Sequence, residues 1–178
     1  SLFKVGDPVF YAGALNRPGA NSEFHLVDER LVGAKPHNLS FADAAALPLT
    51  AITAWELLFD RLQLDLASPQ FQQKVLLVSG AAGGVGSVLL QLARQKTDAF
   101  IIGTASRPES QAWVQQMGAH AVINHQLPLA EELARLGIKQ VSHVVSLVDT
   151  AAYYDEFIAA LAPQGKLALI DDPQTALD

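Results

Sequence analysis

The stretch SGAAGGVGSVLLQLAR, Ser79–Arg94, decides the fold. Four glycines fall within seven residues, Gly80 to Gly86, and an amphipathic run follows at once. Before it stands Val75-Leu76-Leu77-Val78, an apolar run too short for a helix, which reads as a buried strand. After it Val85, Val88, Leu89 and Leu92 recur at i, i+3, i+4 and i+7, one face of a helix. Strand, glycine turn and helix in that order are the context of a dinucleotide-binding fingerprint. In the register Ala81-Ala82-Gly83-Gly84-Val85-Gly86, Gly83 lets backbone approach a pyrophosphate and Gly86 lets the helix pack close to the strand. Free N–H groups at the helix start, together with the helix dipole, favour phosphate charge there. Ala81 takes the first glycine position of the plain G-x-G-x-x-G pattern, and the bland alternative is a tight strand–helix turn without a ligand. No Lys-Ser/Thr pair follows the glycines, which excludes a Walker A loop.

Outward from this unit the pattern repeats. Phe100-Ile101-Ile102 reads as a strand. Pro108 to Met117 reads as a helix, with Pro in its first turn and Gly118 at its C-terminal cap. Ala121-Val122-Ile123 is a third strand, and Leu129 to Leu136 a short helix closed by Gly137. Val141 to Val148 is a fourth strand, Asp149 or Thr150 caps a helix running to Leu161, and Lys166 to Ile170 is a fifth strand. Strands alternating with helices in this way predict an α/β doubly wound parallel sheet, a Rossmann arrangement. The first fifty residues differ. VGDPVFYAG (Val5–Gly13) and NSEFHLVDERLV (Asn21–Val32) read as strands joined by the loop GALNRPGAN. Phe41 to Leu66 reads as mostly helical, interrupted near Pro48, and Ser68-Pro69 leads into the first strand of the sheet. This is too little chain for an independent β domain, and a six-stranded doubly wound sheet needs more chain after Ile170. The expectation is a fragment truncated at both ends.

The chain has 178 residues, half of them apolar, enough for one substantial core. No apolar run reaches the roughly eighteen residues of a membrane span, and no export signal opens the sequence. It contains no cysteine, which excludes disulfides and Cys-based zinc sites within it and fits a reducing, cytoplasmic setting. Twelve Lys and Arg against eighteen Asp and Glu give a net charge of −6 without a basic cluster, so no nucleic-acid partner is expected. The five histidines, His25, His37, His120, His125 and His143, form no H-x-x-x-H or H-E-x-x-H pair, and no metal site is expected from them. His120 and His143 read as surface or strand-end residues. Trp55 and Trp113 are explained by packing, and Asp171-Asp172 by a loop after a strand. Tyr11, Tyr153 and Tyr154 are possible proton donors that nothing in the sequence positions.

Cofactor choice belongs at the end of the second strand, about 20 residues beyond the glycines. There the sequence reads GTASRPES, Gly103–Ser110. No acidic residue ends the strand to hold a ribose 2′-hydroxyl, and Asp98 lies at its other end. Ser106 and Arg107, a hydroxyl and a guanidinium, suit a 2′-phosphate instead, with a helix cap and a solvated surface residue as the alternative. The expected cofactor is therefore NADPH.

AALPLTAITAWELL (Ala45–Leu58) followed by VLLVSGAAGGVG resembles the medium-chain dehydrogenase/reductase superfamily, in its quinone-oxidoreductase-like branch and the bacterial zinc-type alcohol dehydrogenase-like group. GDPVFYAG, EFHLVDERLVG, TASRPES, GAHAVINH and PQGKLALIDDP carry the same likeness, so it covers essentially the whole chain. It implies that residues 1–45 end a GroES-like catalytic domain and that residues 46–178 form a Rossmann NADP-binding domain lacking its last strand. Zinc-dependent members carry a four-cysteine loop after the GD-V strand; here the sequence runs straight through. They also place a Cys ligand four residues before the Thr that packs on the nicotinamide. With that Thr matched to Thr53, the ligand position is Leu49, which cannot bind zinc. The resemblance further implies that Ala82, Gly83, Gly84 and Val85 cradle the pyrophosphate, Ser106 and Arg107 hold the 2′-phosphate, and His125 lies near the adenosine ribose. Thr53, Leu147 and Val148 would border the nicotinamide. The short-chain spacing G-x-x-x-G-x-G also fits the loop, but the Y-x-x-x-K pair of that family is absent, since Phe157 and Ile158 follow Tyr153 and Tyr154 by four.

These readings lead to a zinc-independent NADPH-dependent oxidoreductase that transfers hydride to a quinone, α,β-unsaturated carbonyl or aldehyde. This chain would be its cofactor part, inactive alone and homodimeric when full length. No catalytic acid is identifiable. The alternatives are a zinc-dependent alcohol dehydrogenase and a non-catalytic NADPH-binding sensor or structural protein.

Overall fold

The computed structural model describes residues 1–14, 16–19, 21–64, 71 and 73–171. Ser68-Pro69, Leu66 and Asp172, read above as linker, helix end and loop, lie outside them. The chain divides into two compact units, Ser1–Ile52 and Thr53–Asp178. The sequence reading sets the division at 45/46; the structural one falls within a helix, whose following turns carry the buried Ala54, Leu57 and Leu58 of the second unit's core.

In the first unit, β1 (Val9–Phe10) pairs antiparallel with β2 (Gly33–Ala34), Phe10 opposite Gly33. A Cβ at Gly33 would stand 2.9 Å from the Phe10 ring, so glycine is what lets that ring lie across the pair. The strand expected across Asn21–Val32 does not form. Asp28 instead accepts from the Arg30 N–H (3.0 Å) and caps a single 3₁₀ turn, Glu29–Leu31, while Phe24 and Leu26 remain exposed. The side-chain bond to backbone competes with strand pairing. His25 fastens this segment: its Nε2–H donates to Pro18 O (3.0 Å), and its Nδ1 receives the Tyr11 hydroxyl (3.0 Å). Ser40 caps α1 (Phe41–Ala45), accepting from the Asp43 N–H at 3.1 Å. After Leu47, Pro48 opens α2 (Pro48–Trp55) in the first-turn position that tolerates it. A wide π-type turn, Glu56–Arg61, continues α2.

The second unit is a five-stranded parallel sheet. Its elements alternate as β3 (Val75–Ser79), α3 (Gly84–Lys96), β4 (Phe100–Thr104), α4 (Pro108–Gln116), β5 (Ala121–Ile123), α5 (Leu129–Arg135), β6 (Val141–Ser146), α6 (Thr150–Ala160) and β7 (Leu161–Leu169). The spatial order β5-β4-β3-β6-β7 reverses direction at β3, the topological switch point of a doubly wound sheet. Successive strand residues bury on opposite faces. Leu76, Val78, Ile101 and Val145 join α3 on one side, and Leu77, Ile102 and Val144 join α5 and α6 on the other. That two-sided burial explains why these strands are apolar throughout.

Two expectations are corrected here. The fourth strand stops at Ser146, because Leu147 and Val148 turn away over the glycine loop. His143 is no surface residue: it lies mid-strand in β6 and is 1% exposed. Ser142 Oγ donates to Val75 O (3.1 Å), so the Nδ1–H of His143 donates to Ser142 (2.8 Å). Burial, with Lys166 and Lys74 nearby, pushes its pKa down from 6.5 to about 4. His120 does sit at a strand end, its Nδ1 accepting from the Ile101 N–H at 3.0 Å.

Candidate functional site

At the carboxyl ends of β3, β4 and β6 a cleft of about 620 Å³ opens at the switch point. Ten of the eleven residues singled out in the sequence line it: Ala82, Gly83, Gly84, Val85 and Gly86 from the glycine loop, Ser106 and Arg107 beyond β4, His125 beyond β5, and Leu147 and Val148 beyond β6. Thr53 does not. It lines a separate hollow of about 370 Å³ with Glu56, Arg61 and the end of β7; Ile170 borders both spaces.

The glycine loop is built from backbone. Gly80 takes φ 73°, in the left-handed region, and a Cβ there would meet Val148 Cγ1 at 2.9 Å. Its N–H donates to Thr104 Oγ1 (3.3 Å), and the Gly83 N–H closes the turn onto Gly80 O at 3.1 Å. The departure at Ala81 has a physical explanation. Its methyl points into the core, where the neighbouring strand carries Gly103; a Cβ on Gly103 would lie 3.0 Å from the Ala81 Cβ and 2.4 Å from Val114. The two positions share one volume, so glycine in β4 makes room for alanine in the loop. Gly86 is fully committed to packing: a Cβ would fall 2.4 Å from Ala81 O. Gly83 is not, since only Gly80 O lies near its missing Cβ, at 3.4 Å. Ala82, Gly83 and Gly84 are exposed, and no side chain caps the start of α3. Its first-turn N–H groups and the positive dipole end are therefore available to an anion in the cleft.

The second cluster sits at the end of β4. Arg107 occupies the N-cap position of α4 without a side-chain cap bond, is exposed, and has no ion pair among the described residues. The plain capping role weighed for Ser106 is not what the geometry gives it, because the cap position falls on its neighbour. Ser110, one turn into α4, joins Ser106 and Arg107 in the lining; the sequence reading passed over it, although its spacing from Arg107 was visible. The one carboxylate among the lining residues is Asp149, from the segment after β6. A free guanidinium flanked by two hydroxyls fits a phosphate dianion.

His125 stands edge-on to Tyr153, with ring centroids 6.4 Å apart at 84°. Tyr153 comes from α6 and was left unplaced by the sequence, which carries no signal linking it to His125. Opposite, the Leu147 N–H donates to Ser79 O (3.2 Å), and Asp149 takes φ 54°. The helix cap expected from an Asp149 or Thr150 side chain comes from elsewhere, because Asp171, after β7, accepts the Thr150 N–H at 2.7 Å and the Thr150 hydroxyl. Burial acts to raise the Asp171 carboxyl, but these two bonds hold it below the usual carboxylate value.

Residues 84–175 match the zinc-binding dehydrogenase family. The chain belongs to that family, within the medium-chain dehydrogenase/reductase superfamily. It is 38% identical over 170 residues to the zinc-type alcohol dehydrogenase-like protein of Staphylococcus aureus, covering 96% of this chain and 50% of that one. A candidate zinc-dependent alcohol dehydrogenase protein of Rhizobium etli matches with 53% identity and a TM-score of 0.93, over 98% of this chain and 51% of the other. The quinone oxidoreductase of Escherichia coli, crystallised with NADPH, matches with 30% identity and a TM-score of 0.72, over 93% and 48%. The chain thus spans about half the length of the curated relatives it matches.

The family's name implies zinc, and this chain's donors do not fit it. It has no cysteine, and among the described residues no three His, Asp or Glu side chains gather into a group that could hold a metal ion. Leu49, which the resemblance matches to the family's ligand position, carries a hydrocarbon side chain. A dinucleotide fits better. Gly83 leaves a Cβ-sized opening in the cleft wall, the α3 start is uncapped, and Arg107 has no ion pair among the described residues.

Proposed function

We propose that this chain is the cofactor-binding part of an NADPH-dependent oxidoreductase that reduces a quinone or an α,β-unsaturated carbonyl without zinc. The observation that carries the choice of NADPH is Arg107, unpaired and beside Ser106 and Ser110 at one end of the cleft, where an NAD site would need a carboxylate. When bound, the dinucleotide supplies a hydride from its nicotinamide ring. The protein's part is orientation and exclusion of water. The amides of Gly84, Val85 and Gly86, at the positive end of α3, hold the pyrophosphate. Ser106 and Arg107 hold the 2′-phosphate, and His125 lies along the adenosine ribose. Leu147 and Val148 present an apolar wall to the nicotinamide side; Thr53, which lines the separate hollow, is not part of that wall. The likeness to a quinone oxidoreductase crystallised with NADPH supports the substrate class.

Fluorescence titration with NADPH and NADH tests this reading. NADPH should bind at least tenfold more tightly, the minimum for a charge-assisted phosphate contact; equal affinities would remove the basis of the proposal. Turnover is then measured in the full-length protein with a panel of quinones and enones. Tight NADPH binding without turnover on any of them would favour the non-catalytic sensor instead.

A further inference from the structure

The wall formed by Leu147–Asp149 is held from outside the cleft. Thr150 and Ser146 are both fully buried, and their hydroxyls meet at 2.7 Å. Thr150 passes that contact on to Asp171, which accepts from its hydroxyl and, at 2.7 Å, from its N–H. The Ile170 N–H donates to Ser146 O at 3.2 Å, so Asp171 leaves β7 already aligned with the end of β6. One carboxylate therefore joins the end of one strand to the start of the helix that follows its neighbour. Between its two anchor points, Ser146 and Thr150, the chain makes a three-residue turn with Asp149 at φ 54°. A side chain in the left-handed region is strained and persists only where its surroundings hold it. Within this turn Val148 packs on Gly80, its Cγ1 only 2.9 Å from where a Cβ on that glycine would stand.

We propose that Asp171 is a positioning residue, whose clamp on Thr150 keeps the Leu147–Asp149 turn seated on Gly80 and so fixes the far wall of the cleft before any ligand enters. The role follows from connectivity. No other described side chain bonds the Thr150 N–H, so without Asp171 that buried N–H loses its acceptor, while the Thr150 hydroxyl keeps Ser146 as its partner. Asparagine is the mild replacement. Its carbonyl still accepts the N–H, and its amide faces the Thr150 hydroxyl, which can turn its proton to Ser146.

Loosening of the turn is measurable without a ligand, and its effect on affinity rests on the dinucleotide reading. Without any ligand, hydrogen exchange of the full chain in the peptide covering Leu147–Thr150 should accelerate about tenfold in Asp171→Ala and less in Asp171→Asn, the local opening cost of one lost charged contact. Protection in β3 and β4 should stay as in the wild type. Unchanged exchange at Leu147–Thr150, or equal loss across the whole sheet, overturns the proposal. In calorimetric titration, Asp171→Ala should weaken NADPH about tenfold, because the turn must then be ordered on binding. It should leave 2′-phospho-ADP-ribose, which lacks the nicotinamide, unchanged. Equal loss of both ligands marks a merely structural residue and refutes the clamp. If the wild type binds neither ligand, the dinucleotide reading fails and the exchange result alone decides the clamp.

Discussion

Gly83 and Gly86 stand three residues apart in one loop, and the structure separates what each is for. At Gly86 an added Cβ would sit 2.4 Å from Ala81 O and 2.7 Å from the Ala81 carbonyl carbon and Cα. All three atoms are backbone, so no side chain can rotate away and α3 itself must retreat from β3. Overpacking of this kind costs up to about 3 kcal/mol. Alanine recovers about 1 kcal/mol through its better helix propensity, leaving about 2 kcal/mol of net destabilisation for Gly86→Ala. At Gly83 an added Cβ meets only Gly80 O, at 3.4 Å, and the backbone (φ −76°, ψ 179°) is one any residue adopts. Gly83→Ala should therefore leave stability within about 0.5 kcal/mol of the wild type. It should still weaken dinucleotide binding, because on the proposed function the methyl would stand where the pyrophosphate approaches. Urea unfolding and NADPH titration on both variants measure the two effects independently. With an m-value of about 2 kcal/mol/M, Gly86→Ala should lower the midpoint by about 1 M and Gly83→Ala by almost nothing, while Gly83→Ala loses affinity about tenfold or more, an extra methyl obstructing a charge-assisted contact. A Gly86→Ala variant as stable as the wild type would refute the packing argument. A Gly83→Ala variant that binds NADPH normally would refute the cradle.

Three further outcomes are expected. Arg107→Ala should weaken NADPH by about 1–3 kcal/mol and leave NADH unchanged, the signature of one lost charged contact; a parallel loss of both, by titration, would assign Arg107 to something other than the 2′-phosphate. His143 is held neutral in the fold, with its pKa lowered from 6.5 to about 4. The unfolded chain therefore binds the extra proton as pH falls below about 6.5, and stability present above that value should drop by up to about 3 kcal/mol on approaching pH 4. Urea midpoints should lose that slope in His143→Leu, and an unchanged slope would remove His143 as its source. Dialysis of the full-length protein against a chelator should leave turnover unaltered, whereas loss of turnover restored by zinc would place a catalytic metal in the remainder of the chain.

The sheet was legible because its signals are local. Val75–Val78, the helical face from Val85 to Leu92, and the stops at Gly118 and Gly137 each declare themselves within a dozen residues, and all fall in the elements expected. The N-terminal segment was less so. Alternation in Asn21–Val32 describes a chain that could pair, but Asp28 offered its backbone a shorter-range bond and the 3₁₀ turn took its place. His143 was misplaced for a different reason. In a strand buried on both faces, periodicity no longer distinguishes inside from outside, and a polar pair such as Ser142-His143 resembles exposed positions until its bonds to each other and to Val75 are seen.

The cleft shows the same division at finer scale. Its floor and its basic end come from contiguous motifs, Ala82–Gly86 and Ser106-Arg107, whose chemistry can be read wherever the strands before them end. Its far wall cannot. Val148 reaches Gly80 because β6 lies beside β3 in the register Ser79 opposite Ser146, and Asp171 reaches Thr150 because β7 lies beside β6 with Ser146 opposite Leu169. Those pairings join residues far apart in the chain through backbone alone, with no side-chain pattern to announce them. Gly103 belongs to the same class: as one glycine in a strand it reads as a weakness, and only the pairing of Val78 with Gly103 explains why the loop carries Ala81 where the plain fingerprint has glycine. What looked like an imperfect motif in one strand is a methyl accommodated by a glycine in the next, a complementarity visible only across the two neighbouring strands.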